Sequence, residues 1–388
     1  MIVKTYNEFL KNFDPNGGKY SIIGTIGSGK THTAITLMHD LEAMGYKASY
    51  SCPFRELRNK VNLVTGSART YHGYGFVSIL RNTMKNWEVM EKEDYVKFFD
   101  MLHIPYNPNI VSSEAYPGNQ ILVARDSFIH YSLKKPTEDE EGFIKFCKER
   151  GYIFTNHGIS YSKVLQIIKQ LEEYKEKIKK IEYIDMLLIP IRKGYTADFN
   201  FIGIFDEFQC ATPLIIKFIN DVLCPKTRIY VYDLNQFTSY WFGADLKAIR
   251  NEVKDSDTFL VLEKSHRVPK QVGERLEKWK NMFKTKDVVK YKPIFEKEGK
   301  FFSLDGNYKI IKEYIKDSVR RALRENKTLL IQTRSHNLRR RIVSILLKLG
   351  VPFTTVETKR VESLQRILYN AIFKIMNGKP LTETAVSY

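Results

Sequence analysis

Tyr20-Ser21-Ile22-Ile23-Gly24-Thr25-Ile26-Gly27-Ser28-Gly29-Lys30-Thr31-His32-Thr33 is the stretch on which the reading of this chain turns. A short apolar run meets Gly24, and Gly29-Lys30-Thr31 follows at the G-x-x-x-x-G-K-[ST] spacing of a phosphate-binding loop. The glycines let the backbone curl, so that the N–H groups across Gly24, Thr25, Ile26, Gly27, Ser28 and Gly29 turn toward phosphate oxygens. Lys30 then reaches the outer phosphates, and the Thr31 hydroxyl serves Mg²⁺. The spacing predicts a helix over 32–44 whose positive end faces the same anion. Ala34, Leu37, Leu41 and Met44 share one face of it, and Gly45 stops it. Strand, loop and helix in that order point to a nucleoside triphosphate such as ATP. The plainer alternative is an ordinary glycine-rich turn.

Working outward, 388 residues with 43% hydrophobic and 13% aromatic content suit a folded protein of two or three domains. The formal net charge of +18 favours a polyanionic partner, nucleic acid before an anionic membrane. No apolar run is long enough to span a bilayer, and the N-terminus is too polar for a secretion signal. Four scattered cysteines without metal-ligand spacing suit a reduced, cytoplasmic setting with buried thiols.

Further along, Phe201-Ile202-Gly203-Ile204-Phe205 runs into Asp206-Glu207-Phe208-Gln209. A buried strand delivering two carboxylates at its C-terminal end is where a parallel sheet places its site. Asp206 would hold Mg²⁺, and Glu207 would orient and deprotonate a water. A third strand, 228–232, leads to Gln236, which could sense a terminal phosphate, and to Trp241, either a base-stacking platform or a core anchor. Thr258–Leu262 reads as another strand, with Arg267 beyond it placed as an arginine finger. Ala68–Phe76 reads as a loop of hydroxyl, imidazole and aromatic groups beside Arg69. It could contact phosphates and bases, or be a plain surface turn. Ser160–Ile184 has the spacing of one helix, its lysines Lys175, Lys177, Lys179 and Lys180 forming a solvated face. Thr328–Thr333 reads as a buried strand, followed by a helix from Arg334 with Gly350 and Pro352 as stops.

Taken as an ordered set, these blocks resemble a superfamily 1 helicase of the UvrD/Rep type. Gly24–Thr31 matches the Walker A motif of that family, Thr70-Tyr71-His72 its T-x-H element, and Ile184–Leu187 its acidic-hydrophobic element. Ile204–Gln209 is similar to V-D-E-F-Q, Asp233–Gln236 with Trp241–Asp245 to G-D-x-x-Q…W-R-G-A-D, and Leu262–Arg267 to L-x-x-N-Y-R. The resemblance implies an α/β fold: a RecA-like P-loop NTPase sheet from 1–76 and 185–255, an inserted helical subdomain over 77–184, and a partial second RecA-like domain over 256–388. It implies ATP and Mg²⁺ as cofactors and single-stranded DNA as partner, in replication or repair. Lys30, Glu207, Gln236 and Arg267 would be catalytic, Arg267 coming from the second motor domain. Thr31 and Asp206 would serve the metal, and Thr70, His72 and Trp241 the DNA.

Three positions depart from the pattern: Tyr232 replaces a glycine, Phe242 an arginine and His266 a tyrosine. The later motifs of the family have no counterpart before Tyr388. The chain is therefore expected to be a shortened or split helicase whose C-terminal fragment is a separate partner. The alternative functions are a module that binds nucleotide and single-stranded DNA without unwinding, and a different P-loop motor.

Overall fold

The apolar runs of the sequence become central strands, because a run that is apolar at every position needs cover on both faces. The computed structural model of the chain describes residues 1–82, 87–109, 116–196, 201–282, 292–293, 308–333, 336–351 and 353. Its strands, in chain order, are β1 (Ile2–Val3), β2 (Gly18–Gly24), β3 (Ala48–Ser51), β4 (Glu88–Val89), β5 (Lys180–Ile181), β6 (Ile202–Phe205), β7 (Thr227–Tyr232), β8 (Thr258–Leu262), β9 (Lys264–Ser265) and β10 (Lys292–Pro293). Six of them form one parallel sheet in the order β1-β8-β2-β7-β6-β3. On one face Ile22, Ile204, Ile229, Val231 and Leu260 meet Ala34, Leu37, Met38 and Leu41 of the helix Lys30–Ala43. On the other, Phe205, Tyr230 and Tyr232 meet Leu214, Ile215 and Phe218. Since every strand runs the same way, all six C-terminal ends share one rim, and loops gathered there can converge on one ligand.

Between the third and fourth strands of that sheet lies the expected helical insertion. The helices Lys92–Met101, Pro117–Ser132, Glu140–Arg150 and Tyr161–Ile178 share a core of their own that includes Phe99, Phe128, Phe143 and Leu171. The helix expected to run from Ser160 to Ile184 ends at Ile178, with Lys179 left-handed (φ 52°). The chain then pairs β5 with β4 and starts a new helix at Tyr183. The expected boundary at 76/77 falls inside the helix Tyr71–Asn82, whose Tyr71 and Tyr74 share a core with Ile184 and Leu187.

Lys175 also departs from its expected solvated face. It is 4% exposed and pairs with Glu172, Glu182 and Asp185 at 2.8, 2.9 and 2.8 Å. Arg125, equally buried, grips the two oxygens of Glu182 at 2.8 and 2.7 Å. Glu172 stands one turn back on the same helix, but Glu182 and Asp185 arrive from the turn and helix after β5, at no helical spacing from Lys175.

A second correction concerns the boundary at 255/256. β8 pairs with β2 from Tyr20↔Thr258 to Gly24↔Leu262 and with β1 on its other side, so it belongs to the central sheet. The physical reason is the open edge of β2, which a buried parallel strand must cover. The chain divides instead into compact units 1–300 and 301–388. In the second unit the helices Tyr308–Arg324 and His336–Lys348 pack through Ile315, Val319, Ile342 and Ile345. The strand expected over Thr328–Thr333 is not formed among the described residues. Leu330 is exposed, and only Ile331 packs against the two helices. An apolar run becomes a strand only beside a partner strand. The expected helix start at Arg334, the stop at Pro352 and the expected domain beyond residue 353 lie outside the described residues.

Candidate functional site

β2 leads into the loop 24–29, and the helix Lys30–Ala43 starts on Gly29, which is left-handed (φ 88°) and offers no side-chain cap. The first N–H groups of the helix therefore depend on something other than a capping side chain. Within the loop the Ser28 N–H donates to the Thr25 carbonyl at 3.2 Å. The Ser28 hydroxyl is buried without a hydrogen-bond partner among the described residues. Lys30 is 8% exposed, and its ammonium donates to the Gly24 and Thr25 carbonyls, both at 3.1 Å, and lies 3.7 Å from the Asp233 carboxylate.

Across from the loop, β6 ends at Phe205 and is followed by Asp206, which is fully buried. Its Oδ2 accepts from the Thr31 hydroxyl at 2.7 Å and from the Tyr50 hydroxyl, and its Oδ1 accepts from the Glu207 N–H at 2.7 Å. Burial and then the Asp206 charge push the Tyr50 phenol far above its ordinary value, which keeps it a donor. Glu207 is left-handed (φ 54°), a conformation that costs a non-glycine residue about 1–2 kcal/mol. Burial, and next the charge of Asp206, raise the Glu207 carboxyl above its ordinary value.

A relay of amides ties this corner to β7. The Gln209 side chain donates to Glu207, and its Oε1 accepts from the Asp233 N–H at 3.1 Å. Asp233 Oδ2 in turn accepts from Gln236 Nε2 at 2.7 Å. Gln236 is thereby linked through Asp233 to both Lys30 and Glu207.

The segment after β8 closes the other side of the loop. Ser265 Oγ donates to the Ile26 carbonyl, and the His266 N–H donates to the Gly27 carbonyl, both at 2.8 Å. A Cβ on Gly27 (φ 70°) would stand 2.5 Å from the Arg267 Cβ, so only glycine admits this contact. Arg267 is exposed and lies within the first compact unit, on the loop itself, rather than in a second domain. The cause is again β8, which carries the chain back beside β2 and leaves it at the tip of the loop.

The three residues expected at DNA are distributed differently. The loop expected over Ala68–Phe76 ends at Thr70, just before the helix Tyr71–Asn82. Thr70 Oγ1 accepts from the Gly73 N–H at 3.2 Å and so caps that helix. His72 is half-buried, edge-on to Tyr183 at 5.9 Å, and burial lowers its imidazole to about 4, so it is neutral. Trp241, in the turn Ser239–Phe242, is 54% exposed and therefore no core anchor. Its carbonyl accepts from the Tyr152 hydroxyl of the insertion at 3.2 Å, and its neighbour Phe242 packs on His130 at 4.6 Å.

Compared with protein-family models and with curated proteins, the chain has no match.

Sequence reasoning brought Lys30, Thr31, Asp206, Glu207 and Gln236 to one rim, and they meet there. It gave no part to Tyr50, Gln209 or Asp233. Gln209 and Asp233 are polar residues just past the ends of β6 and β7, a position that is itself the signal of a bond across the rim. Tyr50 reads as any aromatic residue of a strand.

Proposed function

We propose that the chain is an ATP-hydrolysing motor of the superfamily 1 helicase kind, with a RecA-like first domain, that acts along single-stranded DNA. The observation that carries this reading is the Thr31–Asp206 hydrogen bond, which joins the Gly-Lys-Thr loop to the Asp-Glu strand end across the sheet. A P-loop protein uses those two groups on one metal.

The residues fit such a ligand. The partnerless Ser28 hydroxyl, the uncapped N–H groups at Gly29 and the Lys30 ammonium are donors for phosphate oxygens. Thr31 and Asp206 would hold Mg²⁺, a hard cation that takes oxygen ligands and supplies charge neutralisation on the phosphates. The remaining ligands of such an ion would be phosphate and water.

In the proposed reaction Glu207 accepts the proton of the attacking water, its raised carboxyl value improving it as a base. Gln236, fixed by Asp233, orients that water or the terminal phosphate. Arg267 at the loop tip would meet the developing charge. The +18 charge attracts the DNA backbone, and exposed Trp241 stacks on a base.

The test is ATP hydrolysis with and without single-stranded DNA, in the wild type, Lys30→Ala and Glu207→Gln. The motor reading expects DNA to stimulate turnover and both variants to abolish it. Nucleotide and DNA binding without turnover would leave a binding module. Unaltered turnover in both variants would remove the assignment.

A further inference from the structure

A second cavity lies at the outer edge of the sheet, beside β3, and the machinery above uses none of it. The helix Arg55–Thr65 ends on Gly66 (φ 70°), whose N–H donates to the Asn62 carbonyl at 2.9 Å. The chain then turns back and runs along β3. The Ala68 N–H donates to Asn62 Oδ1 at 3.1 Å, the Arg69 N–H to the Tyr50 carbonyl at 2.9 Å, and Ser51 bridges Arg69 in parallel. Helix, turn and strand edge border an open cleft of about 470 Å³, lined by Arg58, Asn62, Ser67, Arg69, Tyr74 and Phe201 among others.

The chemistry of this lining is one-sided. Two guanidinium groups border it, and among the described lining residues there is no carboxylate. Neither arginine forms an ion pair among the described residues. Arg58 Nε and the Ser67 hydroxyl are buried without hydrogen-bond partners there. Arg69 lies over the Tyr74 ring, 5.6 Å from its centre, and that ring stacks with Phe201 at 5.9 Å. Buried donors left unmade are costly. Arg69 is exposed, so it adds positive charge at the cleft rather than an unmet buried donor. A dianion accepting from Arg58 Nε and from Ser67 relieves that cost, and the forked guanidinium donors of both arginines match the oxygens of a phosphate.

We propose that this cavity binds a phosphate monoester, either a free one or the 5′-phosphate at the end of a nucleic-acid strand. A monoester carries a second negative charge near neutral pH, which two guanidinium groups can share, whereas an internal phosphodiester carries one. The proposal stands on the cavity alone and does not need the motor reading.

The probes are inorganic phosphate and a short 3′-labelled oligothymidylate bearing either a 5′-phosphate or a 5′-hydroxyl. Lys30→Ala serves as the background, so that the Gly-Lys-Thr loop contributes nothing. The phosphorylated strand is expected to bind roughly tenfold tighter than the hydroxyl strand, the worth of one charge-assisted hydrogen bond. Inorganic phosphate is expected to compete the difference away, and Arg58→Gln and Arg69→Gln, each checked for a native circular dichroism spectrum, to abolish it. Binding of inorganic phosphate that depends on Arg58 and Arg69 without any preference for the phosphorylated strand would support the free ester as the source. No 5′ preference together with no phosphate binding sensitive to either arginine would overturn the proposal. Loss of the ATPase assignment would show separately, in the Lys30 and Glu207 variants.

Discussion

Thr31 Oγ1 donates to Asp206 Oδ2 at 2.7 Å, a bond between residues that stand 175 positions apart in the chain. It ties the first helix after the loop to the end of β6, and Tyr50 donates to the same oxygen from β3. Thr31→Val keeps the shape and removes one donor; Tyr50→Phe removes the other. A hydrogen bond to a buried charged group is worth about 1.5–3 kcal/mol, so each variant should lose about that much in urea unfolding. Only Thr31→Val removes a proposed metal ligand, so only it should also lower hydrolysis, on the order of 10²-fold. Equal catalytic losses in the two variants would show that the bond matters through stability alone.

Glu207 gives a prediction of opposite signs for activity and stability. Its carboxyl is raised by burial and by Asp206, so the folded protein binds that proton more tightly than the unfolded chain does. The group therefore adds stability below the ordinary glutamate value and loses that contribution as pH rises through the raised one. At neutral pH the ionised Glu207 beside Asp206 is a burden. Glu207→Gln should abolish turnover while raising the thermal midpoint near pH 8, and the gain should close near pH 4. Wild-type hydrolysis should fall on acidification at a pH above the ordinary glutamate value. A midpoint lowered equally at both pH values would contradict this.

The legible part of the fold was the part with a local signal. Strands β2, β6 and β7 carry apolar runs largely buried on both faces, β8 is buried on one face and half-buried on the other, and the helix after Gly29 follows from loop and periodicity. Membership of the sheet was not legible for β8. Its run reads the same in either domain, and only its pairing with β2 decides. The rim residues were legible because Lys30, Asp206, Glu207 and Gln236 stand in motifs. Their connections through Gln209 and Asp233 are hydrogen bonds over long separations, which no spacing encodes. Thr70 misled because a threonine before an aromatic run reads alike as loop or helix cap.

Lys175 misled for a related reason, and its burial makes a third prediction. Lys175→Met leaves Asp185 buried with no cation, and removal of one partner from a buried ion pair costs about 3–5 kcal/mol. Burial alone would raise the Glu182 carboxyl, but Arg125 and Lys175 outweigh it and hold it below its ordinary value. A depressed carboxyl contributes stability above its ordinary value and loses it as pH falls through the depressed one. Urea unfolding of the wild type should therefore weaken progressively as pH falls below the ordinary glutamate value of 4.5. In Lys175→Met the midpoint should be lower throughout, with the acid loss beginning at higher pH. An unchanged midpoint at pH 7 would mean that the pair is compensated elsewhere.

Trp241 offers the sharpest separation of binding from folding. The residue is 54% exposed, its carbonyl accepts from Tyr152, and its ring meets the neighbouring Phe242 ring edge-on at 5.6 Å. Trp241→Ala keeps that bond, so the unfolding midpoint should stay within about 0.5 kcal/mol of the wild type. A stacked base is worth about 1–3 kcal/mol, so affinity for single-stranded DNA should fall roughly 5- to 150-fold. Phe242→Ala is the matched comparison. Phe242 packs on buried His130, so that variant should lose stability. The two variants read by fluorescence anisotropy and urea unfolding distinguish a stacking residue from a packing one. If Trp241→Ala binds the strand as tightly as the wild type, this turn is no part of the DNA track.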